Sequence, residues 1–171
     1  MLNLTLIRHA KSNWESFDGD DFSRDIAVIG VKKTQKIGKF LKGEKITFDE
    51  ILCSPSLRTK KTLKLILNFL DNKPIIRFID DLYHQSNKDL FDIVVLEARK
   101  KKVLVISHEP MLSSSIQDFS SDFENKNFKR ATEKFSTSSI FQINFSCKNW
   151  FDIDKSNSTI IFFKRPNDLK D

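Results

Sequence analysis

The chain has 171 residues, a formal net charge of +6, 39% hydrophobic residues and 30% charged residues. Its size suits one domain spanning residues 1–171 around a single well-buried core, and its balance excludes an intrinsically disordered chain. No apolar run approaches the roughly 20 residues that a membrane-spanning helix needs, and the chain enters a strand pattern at once without a signal or transit pattern, so the expectation is a cytoplasmic protein with no membrane partner. Basic residues are scattered along helix-like segments, and sixteen Phe against one Tyr read as core, so no nucleic-acid partner is expected. Cys53 sits within an apolar strand pattern and reads as a small buried thiol. The three histidines show no metal-ligand spacing. Neither a metal nor a cofactor is expected.

In chain order, Leu2, Leu4, Leu6 and Ile7 with β-branched Thr5 predict a short buried strand that runs directly into Arg8 and His9. A polar loop follows from Ala10 to Arg24, carrying Glu15, Asp18, Asp20 and Asp21. Ala27 to Lys42 reads as a helix with Ile37, Phe40 and Leu41 on its apolar stripe and Gly43 as its stop. Glu50 to Cys53 is a second strand. Ser54 is then the expected N-cap, with Pro55 at the first helical position, of a helix running through Leu63, Ile66, Leu67 and Leu70. Arg58 falls in its first turn, where free N–H groups and the helix dipole favour an anion.

Ile75 to Ile79 is a third strand candidate, leading to Asp80, Asp81, Tyr83 and His84, the last read as a surface loop residue. Ser86 or Asn87 is the expected cap of a helix bearing Leu90, Ile93, Val94 and Leu96, and the run Arg99 to Lys102 is taken as its basic end. Val103 to Ile106, continuously apolar, reads as a central strand that breaks into His108-Glu109-Pro110. Pro110 to Ile116 starts a helix, and Asp118 to Lys134 reads as polar and irregular. Ser139 to Phe145 alternates like a half-exposed strand, and Thr159 to Phe163 pairs back as an edge hairpin, with Trp150 near the connection.

Three strand-like runs therefore break into Arg8-His9, Ser54-to-Arg58 and His108. If they are parallel, two guanidiniums and two imidazoles meet at one sheet edge, where open α/β sheets bind ligands. Such a set suits a phosphoryl group: arginine offers a planar fork of donors, and a neutral imidazole is a nucleophile.

Leu6-Ile7-Arg8-His9-Ala10-Lys11-Ser12 followed by Trp14 resembles the signature of the histidine phosphatase (phosphoglycerate mutase-like) superfamily, and its Ala-Lys-Ser-x-Trp continuation resembles the SixA-type phosphohistidine phosphatase branch. Ser54-Pro55-Ser56-Leu57-Arg58-Thr59 with Thr62, Ser107-His108-Glu109-Pro110, and Phe135-Ser136-Thr137-Ser138 with Trp150 are similar to that family's later motifs, so the likeness covers about residues 2 to 166. The resemblance implies an α/β fold: a three-layer α/β/α sandwich with a mostly parallel central sheet and a C-terminal antiparallel edge hairpin. It implies His9 as the nucleophile, with Arg8, Arg58 and His108 beside it in catalysis. It also implies Arg8, Ser12, Arg24, Arg58 and His108 as phosphate-binding residues. Spacing alone does not distinguish His9 from His108. The family's Asp-x-x-Arg-Pro-Leu segment corresponds to Asp21-Phe22-Ser23-Arg24-Asp25-Ile26 here, where the proline and leucine are replaced. Arg24 either closes the pocket or pairs with a neighbouring Asp.

Implied by that resemblance is a metal-independent phosphatase working through a phosphohistidine intermediate and taking its phosphoryl group from phosphohistidine on a partner protein. No glutamate stands where ester-hydrolysing relatives carry their proton donor; Asp18, Asp21 and Asp81 are the remaining candidates. An imidazole leaving group relaxes that need, because it takes a proton near neutral pH. Two alternatives stand: a phosphomonoesterase for a small phosphorylated substrate on the same fold, and a non-catalytic binder of a phosphorylated partner. A serine hydrolase is disfavoured by the lack of a G-x-S-x-G elbow.

Overall fold

A computed structural model of the chain describes residues 1–83 and 87–171. Six strands form one sheet: β1 (Leu2–Arg8), β2 (Glu50–Cys53), β3 (Ile75–Phe78), β4 (Lys102–Ser107), β5 (Ile140–Phe145) and β6 (Ser158–Lys164), in the order β3-β2-β4-β1-β5-β6. The first four in that order run parallel, and β5 and β6 close the sheet as antiparallel strands. The expected edge hairpin is present.

Among the described residues five α-helices cover the sheet: α1 (Val28–Gly43), α2 (Leu57–Leu67), α3 (Leu90–Glu97), α4 (Met111–Phe119) and α5 (Lys126–Glu133). Two buried apolar clusters define the layers. On one face Ile7, Ile51, Cys53, Leu104, Ile106 and Ile140 pack with Ile37 and Leu41 of α1 and Leu63 and Ile66 of α2. On the other, Leu4, Leu6, Val103, Val105 and Phe141 pack with Ile93 of α3, Ile116 of α4 and Phe128 of α5. Successive strand residues point to opposite faces, so a strand covered on both sides must be apolar at every position. Leu4, Leu6, Ile7 and Val103 to Ile106 obey that rule. Cys53 is fully buried, and burial pushes its thiol up to about 12, so it remains a packing group.

Several sequence expectations are corrected. Ser139 to Phe145 is not half-exposed: Ile140, Phe141, Ile143 and Phe145 are fully buried, and the polar Gln142 that suggested an exposed face donates to Thr5 Oγ1. The Asp118–Lys134 segment is not wholly irregular, for it contains α5, capped by Asn125 Oδ1 and seated on its Phe128 and Ala131. Its polarity is that of a helix buried on one side only. Asp89, rather than Asn87, caps α3, and Ser86 and His84 lie outside the described residues. That helix ends at Glu97, so the basic run Arg99–Lys102 belongs to the turn and the first residue of β4.

Ser56, not Ser54, caps α2: its Oγ accepts from Thr59 N, and the helix begins two residues later than the proline suggested. Pro55 lies in the turn before it. Ser54 is thereby released for another contact.

Candidate active site

The parallel register brings three strand ends level. Arg8 lies opposite Ser107 on β4, and Cys53 on β2 lies opposite Ile106. The residues that follow, His9, Ser54 and His108, therefore emerge together at the carboxyl edge of the sheet. The His9 and His108 rings sit 5.1 Å apart, centre to centre. A cavity of about 480 Å³ opens over them, lined among others by Arg8, His9, Ser12, Arg24, Arg58 and His108. All six sequence-predicted site residues meet in it.

Each is held by identifiable contacts. His9 N donates to Ser107 O at 3.1 Å, and the next backbone N–H, of Ala10, donates to Thr62 Oγ1 at 2.9 Å. Thr62 Oγ1 in turn donates to Arg58 O at 2.7 Å, so one hydroxyl ties the His9 turn to α2. His9 Nδ1 lies 2.7 Å from Ala10 O. A carbonyl only accepts, so Nδ1 carries the hydrogen and Nε2 carries the free lone pair. His108 Nε2 lies 2.7 Å from Ser54 Oγ, which is the contact that the cap left open.

The guanidiniums are anchored differently. Arg8 Nη1 donates to Phe135 O at 3.0 Å, within the Phe135–Ser138 turn whose Ser138 N–H reaches back to Arg8 O and His9 O. Arg58 Nη1 donates to Asp21 O at 2.8 Å and its Nη2 to Asp21 Oδ2 at 3.2 Å. Arg24 Nη2 donates to Asp21 Oδ1 at 2.9 Å, while its guanidinium stacks 3.9 Å over the Trp14 ring. Both sequence alternatives for Arg24 hold at once: it lines the cavity and it pairs with an Asp.

Electrostatics follow from burial and from this crowd of cations. Burial is the largest effect lowering the His9 pKa to about 3; the hydrogen bond to Ala10 O opposes it, and His108, Arg58 and Arg8 add to it. Burial likewise lowers His108 to about 3, helped by the charge of Arg58 and opposed by Asp21. Both imidazoles are neutral at pH 7. Burial works to raise the Asp21 carboxyl, yet hydrogen bonds from Tyr83 and Arg24 and the charge of Arg58 outweigh it and hold the group at about 2. Asp21 is therefore ionised and has no proton to give near neutral pH. Asp18 and Asp81 do not line the cavity; Asp18 accepts from Asp20 N, and Asp81 pairs with Lys88 at 3.3 Å.

Six buried polar side-chain atoms among the described residues have no hydrogen-bond partner in the protein. Five belong to this cavity: Arg8 Nε, Ser12 Oγ, Arg24 Nε, Arg58 Nε and His108 Nδ1; the sixth is Asn72 Oδ1. Buried donors without partners are rare and costly, so their convergence marks a place built to meet an acceptor-rich anion.

Sequence reasoning missed several contributors. Ser54 is expected as a cap and Tyr83 is given no role by the sequence, yet one contacts His108 and the other donates to Asp21 Oδ2 at 2.8 Å. Glu109 lines the cavity and stands next to His108 in the chain, a signal within reach of the sequence. Lys33 of α1 and Lys134, just after α5, also line it, and only the tertiary structure brings these two lysines to a pocket.

Residues 4–82 match the sequence model of the histidine phosphatase superfamily (branch 1), a span that includes Arg8, His9, Ser12, Arg24 and Arg58. An uncharacterized protein of Mycobacterium leprae (strain TN) is 25% identical over 165 residues, covering 94% of this chain and 99% of that one. The fold is similar to that of a protein assigned as phosphohistidine phosphatase SixA from Nakamurella multipartitia, with TM-score 0.79, 20% identity and 96% of each chain covered. It is also similar to that of the protein histidine phosphatase SixA complexed with tungstate, with TM-score 0.76, 21% identity, and 99% and 100% of the two chains covered. The sequence match thus spans the residues that carry Arg8, His9 and Arg58, and the fold is shared along nearly the whole chain.

Proposed function

We propose that this protein is a member of the histidine phosphatase superfamily and removes the phosphoryl group from phosphohistidine on a partner protein, through a phosphohistidine intermediate on His9. The observation that carries the reading is the set of partnerless buried donors around a neutral imidazole whose Nε2 lone pair is free. His9 Nε2 attacks phosphorus and forms a new N–P bond as the bond to the leaving nitrogen breaks. Arg8, Arg58 and Arg24 offset the charge that spreads over the phosphoryl oxygens, and Ser12 Oγ donates to one of them. His108 acts as a neutral donor: with the Ser54 hydroxyl donating to Nε2, its Nδ1 carries the hydrogen. Water then attacks phosphorus on His9, releasing inorganic phosphate and the free imidazole. Every step uses side chains of this chain and water, without calling on a metal.

The N–P preference rests on the carboxylates. Asp21 is held ionised by Arg24 and Arg58, so it does not protonate an alkoxide. A departing imidazole needs no such donor, since its own nitrogen takes a proton near pH 7. One observation favours a second reading, a small-molecule phosphomonoesterase. Glu109 is the one carboxylate lining the cavity among the described residues, and it would serve as the acid for an oxygen leaving group.

The deciding experiment measures phosphate release from a histidine-phosphorylated carrier protein and from an aryl phosphate, using wild type, His9→Ala and Glu109→Gln. Release should fall at least about 1,000-fold in His9→Ala for both substrates. Faster turnover of the carrier, insensitive to Glu109→Gln, supports N–P hydrolysis. Faster turnover of the ester, lost in Glu109→Gln, replaces that reading with the second. Folded wild type that releases phosphate from neither is a binder.

A further inference from the structure

The cavity is larger than a phosphoryl group requires, and its remaining wall is basic. Lys11, from the turn after His9, Lys33 of α1 and Lys134, which follows α5, line it together with Arg8, Arg24 and Arg58. That makes six cationic residues against one acid, Glu109. The arginines account for the phosphoryl site; the lysines are in excess of it. Among the described residues no carboxylate forms an ion pair with Lys11, Lys33 or Lys134, whereas Lys36, Lys61, Lys88 and Lys129 each have one. Glu109 forms an ion pair with none of the three: its Oε1 accepts the N–H of Ser113 at the start of α4, 2.7 Å away, and its charge acts on Arg8. Three ammonium groups without a carboxylate partner, brought to one cavity from three separate segments, add to the positive field that an entering anion meets.

The mouth also carries another chemistry. Trp14, 63% exposed, lines the cavity, and Phe17, 41% exposed, meets its ring edge-on at 5.5 Å. Two edge-to-face aromatic rings left in solvent beside a charged pocket offer apolar contact to a surface broader than a small molecule.

We infer that Lys11, Lys33 and Lys134 form a second anion subsite beside the phosphoryl pocket, which selects phosphohistidines flanked by Asp or Glu on a protein surface that also rests on Trp14 and Phe17. The inference rests on the phosphohistidine reading above and adds the kind of protein that supplies the group. Charge complementarity of this kind acts on encounter and on choice of partner more than on the chemical step.

The test reads binding. Two peptides carry the same hydrolysis-resistant phosphohistidine analogue, one flanked by Asp and Glu and the other by Asn and Gln. Dissociation constants are measured for wild type, for the triple variant Lys11→Ser/Lys33→Ser/Lys134→Ser, and for the triple Lys→Arg variant. The acidic peptide should bind wild type about 10-fold or more tightly than its amide twin. That ratio should fall to about one in the serine variant and persist in the arginine variant, which retains the charge. A ratio near one in wild type, or one unchanged in the serine variant, overturns the inference. A third probe, a small phosphomonoester carrying one carboxylate, is compared with its uncharged analogue. If it shows the full lysine-dependent advantage, the second anion belongs to a small substrate and the protein part is overturned. Because binding is read directly, an enzyme that proves to cleave only O–P bonds fails the proposed function, while a ratio near one fails only this inference.

Discussion

Asp21 occupies the place where the arginines have most to offer. Its two carboxylate oxygens accept from Arg24, Arg58 and Tyr83, and its backbone oxygen accepts from Arg58 as well. A phosphoryl group entering the cavity finds the Nε donors of Arg24 and Arg58 open, but competes with that carboxylate for the positive field of the two guanidiniums. Asp21→Asn removes one negative charge from the border of the site while keeping the side chain's shape. Inorganic phosphate should then inhibit more tightly, its Ki falling about 3- to 10-fold, the range expected for one half-exposed charge pair. A Ki that rises in the variant would show Asp21 aligning Arg58 rather than competing for it. Ser54 makes a related point about how residues acquire roles. A serine before proline reads as a helix cap by local rules, yet helix α2 takes Ser56 and leaves Ser54 to His108.

Among the elements, α1 bears most directly on the site. Gly30 lies against the backbone of Lys11: a Cβ there would stand 2.7 Å from Lys11 O and 3.0 Å from Lys11 N. The same carbonyl accepts from Ala27 N, and Thr34, one turn further, contacts Ser138 Oγ at 2.8 Å. Thus α1 presses on both the turn after His9 and the turn that anchors Arg8. Gly38 is crowded too, but by the half-buried Phe69 ring on the far part of the helix. Gly30→Ala should cost about 1–3 kcal/mol and raise KM, since backbone must move beside Ser12. Gly38→Ala should lower the melting temperature by displacing a ring and leave KM in place. Thermal melts and steady-state kinetics on the two variants separate these outcomes; an unchanged KM in Gly30→Ala would contradict the account of α1.

At the scale of the whole molecule, the buried histidines link the site to global stability. His9 and His108 are lowered to about 3 in the folded chain, whereas both return to about 6.5 when unfolded. Between those values the unfolded chain binds more protons, so stability rises with pH. Equivalently, the contribution is fully present above pH 6.5 and is lost as pH falls toward 3, by up to about 1.4 kcal/mol per pH unit for each histidine. The window from pH 6.5 to about 4.5 lies above the range where exposed carboxylates titrate, so it isolates this effect. Urea unfolding across that window should show wild type losing stability faster than His108→Gln, by about one proton's slope. Equal slopes would mean that His108 is not buried as a neutral ring.

The sequence by itself determined the strands and the chemistry at their ends. Short, largely apolar runs at Leu2–Ile7, Glu50–Cys53 and Val103–Ile106 lie beside Arg8-His9, Arg58 and His108, and such local patterns survive folding because each is a property of adjacent residues. What depends on contact between distant segments was not legible. The polar α5 gains its place from packing Phe128 and Ala131 onto the core, and β5 hides Gln142 by bonding it to Thr5, more than a hundred residues away in the chain. The tautomer of His9, the hold of Asp21 on two arginines, and the gathering of Lys11, Lys33 and Lys134 around one cavity arise only when the sheet aligns its carboxyl edge. Charges and hydrogen bonds act through distances of a few ångströms, and those distances are set by the tertiary fold, not by separation along the chain.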